Sequence, residues 1–209
     1  MVNRRGGADR TGAIVGVVEN GNSAVLVTVA GGRVLDRRQI DLTPPGTPTH
    51  PHHHEGSWAV GRYLKTPGAK PTSLPEAVAL VERVRGLAEQ GARESLEALA
   101  AAVPVPIAGV ALRECPELPP TIEARIADNR AQTYADTVMY RKALAGAAEA
   151  RGWSVHWYDR ERVALAAAVA VGCDDIDAHL RELGRTLGAP WHAKHKLAAT
   201  AAIWASARA

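Results

Sequence analysis

Phenylalanine is absent from the 209 residues, and the remaining aromatics are five Trp and four Tyr. The core must therefore be filled by aliphatic side chains, and 46% hydrophobic with 22% charged residues is an ordinary globular mix. Abundant Ala and Val without Phe point to a GC-rich bacterial coding bias. Cysteine is scarce: Cys115 and Cys173 lie far apart, and neither belongs to a CxxC. That excludes a thiolate zinc site, argues against a disulfide framework, and fits a reduced cytoplasm. Long hydrophobic runs are missing too. The longest, Val163 to Gly172, is too short to span a membrane. Met1 to Arg10 is polar, holds Arg4, Arg5 and Arg10, and has no apolar stretch of the signal-peptide kind. Neither sign of charge dominates: 25 Lys and Arg face 22 Asp and Glu, for a net charge of +3. This balance permits nucleic-acid binding without demanding it.

What is present has a clear order. Residues 1–11 read as a flexible tail. Ala13–Glu19, Ala24–Ala30 and Arg33–Asp41 read as strands, joined at Asn20-Gly21 and Gly31-Gly32 by turns that tolerate positive φ. They predict an antiparallel meander. Residues 42–73, rich in Pro, Gly, His and Thr, read as a long loop. Pro75 opens a helix whose apolar positions run to Val103, with Gly86 and Gly91 as possible bends. Ile107–Leu112 reads as a buried parallel strand. Thr121 caps one long helix to about Arg151, and Gly152 stops it. Trp153–Tyr158 reads as a strand with 153, 155 and 157 on a core face. Helices follow over 161–171 and 174–187, and Pro190 opens a last one to about Ala207. No repeat and no second core is visible, so residues 12–209 read as one domain.

The fold class expected is α/β: a mixed sheet, with a three-strand antiparallel meander and then two parallel strands, flanked by helices. This order resembles the ribonuclease H-like one. Three stretches are similar to the RuvC group of resolvases: Tyr140-Arg-Lys-Ala-Leu-Ala-Gly-Ala-Ala-Glu-Ala-Arg-Gly152, Val155-His-Trp-Tyr-Asp-Arg-Glu-Arg-Val163, and His192-Ala-Lys-His195-Lys-Leu-Ala. Leu118-Pro-Pro, Ala135–Leu144 and Gly188–Ala199 also resemble a bacterial family with no assigned activity. That second resemblance speaks to fold alone.

The first resemblance implies acids gathered from the first strand, a middle element and the last helix around Mg²⁺ or Mn²⁺, ions that suit phosphodiester hydrolysis. The candidate catalytic residues are Glu19, Glu114, Asp136 and His195, and the candidate metal ligands are Glu19, Glu114, His192 and His195. Glu19 ends the first strand, where such enzymes usually carry Asp. Glu114 follows the buried strand, at the carboxyl edge where parallel sheets bind ligands. His192 and His195, three apart on one helix face, depart from the usual acids and suit Mn²⁺ or Zn²⁺ better than Mg²⁺. Asp136, with Arg141 nearby, matches the second family. Each has a plainer reading: a turn-flanking Glu, a loop acid, a polar helix start, a surface Asp facing Tyr140. Asp159 reads as a helix cap at a strand end. His50, His52, His53, His54 and Glu55 form a cluster that reads as a solvated loop or a contact for metal or nucleic acid.

Two functions from different classes follow. One is a metal-dependent nuclease. The other is a non-catalytic ribonuclease H-like module that binds nucleic acid or a protein partner within a larger assembly. A nucleotide-binding relative of the actin-like ATPases ranks last, because no Gly-rich second phosphate loop is present.

Overall fold

The computed structural model describes residues 12–55 and 72–209. The tail at 1–11, with Arg4, Arg5 and Arg10, and the loop residues 56–71 lie outside the described residues. Strands β1 (Ala13–Asn20), β2 (Ser23–Ala30) and β3 (Arg33–Asp41) form the expected meander. Strands β4 (Ile107–Arg113) and β5 (Ser154–Tyr158) extend it in parallel. The sheet order is β3-β2-β1-β4-β5, which puts β1 at the centre. The turns at 20–23 and 30–33 are tight because Gly21, Gly31 and Gly32 take positive φ.

Six helices cover the sheet: α1 (Leu74–Ala102), α2 (Ile122–Ala127), α3 (Asn129–Glu149), α4 (Val163–Val171), α5 (Ile176–Leu187) and α6 (Ala193–Ser206). Helix α1 starts at a Ser73–Glu76 capping box and runs unbroken past Gly86 and Gly91. At Gly91 a Cβ would overlap the backbone of Leu42, so this glycine serves close approach and not bending.

The single helix expected over 121–151 is two. Asp128 has extended φ and ψ of −94° and 118°. Its amide closes α2 on the Ala124 carbonyl, while its carboxylate accepts from the amides of Arg130 and Ala131 and opens α3. A side chain that can satisfy two orphan amides makes a new helix start cheaper than continuation. The last helix also begins later than Pro190, at Ala193, with His192 as its cap.

Strand alternation sends side chains to two helical layers. Val15, Val17, Val110 and Leu112 enter a core beneath α1 and α3, joined by Trp153, Val155 and Trp157. Ile14, Val27, Ala111 and Tyr158 enter a second core beneath α4 and α6. Helix α6 lies very close to β1, because Ala198 and Ala202 meet Gly16. A Cβ on Gly16 would overlap the Ala198 carbonyl. No described helix is long and apolar enough to cross a membrane.

Candidate functional site

The carboxyl ends of β1, β4 and β5 open into a groove of about 1370 Å³. Its lining includes Glu19, Glu114, Arg113, Arg130, Tyr134, Arg141 and Arg160. Open α/β sheets bind ligands at this edge, and Glu19 and Glu114 share its mouth.

Their chemistry differs from the expectation. Glu19 continues the parity of Val15 and Val17, so its side chain meets α3. There Nε and Nη2 of Arg141 converge on Glu19 Oε1 at 2.7 and 2.6 Å. Nη1 of the same guanidinium donates to the Glu114 carbonyl at 2.8 Å. The pair is nearly sealed from solvent, with side-chain exposures of 6% for Glu19 and 4% for Arg141. The Glu114 amide donates to the Tyr158 carbonyl, which carries the β4–β5 pairing one residue past the strand, and its carboxylate is exposed. Tyr158 is buried with its hydroxyl donating to the Val17 carbonyl at 3.3 Å. Burial, and then the Glu19 carboxylate, raise its pKa, so the phenol stays protonated.

His192 and His195 do not join this groove. They lie at the start of α6, in the layer on the opposite face of the sheet. His195 Nδ1 accepts the His192 amide at 3.1 Å, and its ring stacks on Trp191 at 5.9 Å. Burial, then Arg37, then His192 lower the His195 pKa. With Nδ1 accepting, the neutral ring carries its proton on Nε2. Arg37 reaches across from β3 to the segment before α6. It donates to the carbonyls of Leu187, Gly188, Ala189 and Pro190 at 2.6–3.2 Å.

Asp136 is not in the groove either. It is buried in α3 and accepts the amides of His52 and His53 at 3.0 and 3.2 Å and the His52 Nδ1–H at 2.8 Å. The histidine cluster is thus partly ordered: Pro51–Glu55 form one π-helical turn pinned on Asp136, and Tyr140 donates to the Thr49 carbonyl. Asp159 accepts the Glu161 amide and sits 3.5 Å from Arg162, but Arg162 itself is the cap of α4 and no side chain bonds the helix start, so Asp159 closes the turn before the helix and does not cap it.

The four expected ligands do not fit a divalent ion. A metal on Glu19 would share its oxygen with a guanidinium that is always charged. The protonated Nε2 of His195 offers no lone pair, and the histidines face away from the acids. Among the described residues no three His, Cys, Asp or Glu are grouped as a metal site requires.

Sequence reasoning named Arg141 only as a neighbour of Asp136 and missed its pairing with Glu19. Arg141 and Asp136 are buried polar residues in an Ala-rich helix, and a charge on a helix's apolar side was the available signal. Tyr134, 47% exposed at the groove, carried no signal in the sequence, while Trp153 and Trp157 pack against the core.

No protein-family model matches the sequence, and no curated protein matches it. Solved structures do. The chain is similar to Thermus thermophilus RuvC in complex with a Holliday junction substrate, at a TM-score of 0.52 and 16% identity over 93% of this chain and 92% of that one. It is similar to a second Thermus thermophilus RuvC structure at 0.51 and 16%, over 93% of each. The fold is therefore ribonuclease H-like in the RuvC arrangement, as the element order implied.

Proposed function

We propose that the protein is a non-catalytic ribonuclease H-like module that binds nucleic acid in the strand-end groove. The observation that carries this reading is the Glu19–Arg141 pair. It sets a fixed cation where the nuclease reading needs a metal, so the first-strand acid is already neutralised. Arg113, Arg130 and Arg160 line the same groove and make no salt bridge among the described residues. They supply phosphate contacts, and Tyr134 supplies an exposed ring for base stacking. The RuvC likeness adds that one neighbour of this fold holds a Holliday junction substrate. Two free cysteines agree with a cytoplasmic setting.

Fluorescence anisotropy with labelled four-way, double-stranded and single-stranded DNA and RNA tests the binding. Affinity should fall with salt, and Arg113→Ala and Arg160→Ala should each lower the slope of log K against log salt by about 1. No cleavage should appear with Mg²⁺ or Mn²⁺. Metal-dependent cleavage that disappears in Glu114→Ala would restore the nuclease. Glu114, Glu117 and Glu161 expose carboxylates on the same groove and favour a second reading, a basic segment of a protein partner. Absence of nucleic-acid binding at low salt would select it.

A further inference from the structure

Helix α4 leaves an apolar face uncovered. None of its nine residues, Val163–Val171, is polar. Val163 and Ala167 are buried in the core that α4 shares with α6. The other side carries Leu165 at 74% and Val169 at 76% exposure, the two most exposed large apolar side chains among the described residues. Single apolar residues on a surface need no explanation, but two of them one turn apart on a helix without a polar residue form a patch. Ala164, Ala166 and Ala170 flank it, and such short side chains let a second helix come close.

The face is symmetric about its own centre. Arg162, Leu165, Val169 and Gly172 follow one another at steps of three, four and three, the spacing of a helix–helix seam. Residues 162 and 172 are equally far from 167, and so are 165 and 169. A second copy laid antiparallel across this one, with the two-fold axis at the level of Ala167, therefore sets Leu165 against Val169 in both directions, as an isologous contact requires. The ends match as well. Arg162 is the cap residue before α4, and its side chain is 87% exposed. At the other end, the last turn of α4 carries no basic residue of its own. There Gly172 takes positive φ with open space where a Cβ would stand, and Asp174 is exposed. The Arg162 of a second copy thus meets the negative end of the helix and a carboxylate. A lipid surface suits this face less well, because Asp174, Asp175 and Asp177 crowd one end and repel anionic headgroups.

We propose that α4 is a self-association face, through which two copies of the chain pair antiparallel about a two-fold axis at the level of Ala167. One helix pair is a small contact, so the dimer belongs to the weak class that buries less than about 1,200 Å². A Kd on the order of 10–100 μM is expected. None of Leu165, Val169 and Asp174 lines the strand-end groove, so pairing and nucleic-acid binding can fail separately.

Sedimentation equilibrium of the full chain from about 5 to 500 μM tests the pairing. The weight-average mass should climb from that of one chain towards that of two and no further. Leu165→Lys and Val169→Glu should each stay monomeric over this range. Both positions are exposed, so each variant should keep the wild-type Tm at the lowest concentration. An equimolar mixture of the two variants should associate again, about tenfold more tightly than either alone. The antiparallel seam sets the new lysine of one chain against the new glutamate of the other and keeps one Leu165–Val169 contact. A wild-type chain that is still monomeric at the highest concentration, dimers retained by Leu165→Lys, or a mixture no better associated than its parts would each overturn the proposal. So would binding of the monomer to anionic vesicles without self-association, which gives the face to a membrane. Should one variant not fold, the wild-type concentration series and the other variant still decide it.

Discussion

Arg141 is the residue on which the strand-end mouth depends. Its charge and that of Glu19 are both out of water, so each is tolerable only in the presence of the other. Buried pairs of this kind contribute little net stability, yet breaking one leaves an uncompensated charge. Arg141→Met should therefore cost about 3–5 kcal/mol in urea unfolding. Glu19→Gln combined with Arg141→Met should recover most of that loss. A double variant as unstable as the single one would show that the guanidinium matters through the Glu114 carbonyl instead. Two histidines set a pH dependence at the same scale. His195 has its pKa lowered by burial, Arg37 and His192, and His156 by burial and Arg208. His156 Nε2 is also buried without a partner among the described residues. Because the folded values lie below the unfolded ones, the unfolded chain takes up protons first as pH falls. Stability should be full above the ordinary imidazole range and decline below about pH 6.5. The urea midpoint followed from pH 7.5 to 5.5 checks this, with a smaller decline expected in His156→Gln.

Among the elements, α6 and β1 form the tightest junction, and glycine makes it possible. Gly16→Ala would drive a methyl group into the Ala198 carbonyl. The helix would have to lift along its length, and a loss of about 1–3 kcal/mol or more is expected in thermal unfolding. Gly86→Ala in α1 meets open space and should be neutral or slightly stabilising, by up to about 1 kcal/mol, in the same assay. Element order was legible because period-2 and period-3.6 patterns were separated by Gly and Pro. The break at Asp128 was less so. The apolar positions on either side of it are consistent with one continuous helix, and local side-chain bonding decides the matter. Pro190 misled in a similar way. It looks like a first helical residue, but its carbonyl and those of Leu187, Gly188 and Ala189 are gathered by Arg37, and the helix starts only after that clamp. Nothing local to 187–195 announces an arginine 151 residues away from Gly188 in the chain.

For the molecule as a whole, the limit on sequence reading was the face of the sheet. Element order places strand ends at one edge, and it did place Glu19 and Glu114 together. It does not say which side of the sheet each side chain enters, because a one-residue change of parity sends a residue to the other layer. Glu19 falls in step with Val15 and Val17 and so faces α3, while His192 and His195 belong to the α6 layer. A donor set split this way gives metal no hold on the native state. Millimolar Mn²⁺, Mg²⁺ or EDTA should move Tm by less than about 1 °C, since only a ligand that binds the folded chain raises it. A rise of several degrees with Mn²⁺ alone would mean that an ion finds ligands across the two layers.

The guanidinium that joins Glu19 to the Glu114 carbonyl also sets a length. Metal-bridged carboxylates adjust their spacing as ions and substrates come and go. Here the ends of β1 and β4 are spaced by the covalent dimensions of one planar side chain, which do not change. On the proposed binding reading, the mouth between them would act as a fixed gauge: a partner would either match the gap on arrival or be turned away, with no step of ion loading between encounter and fit.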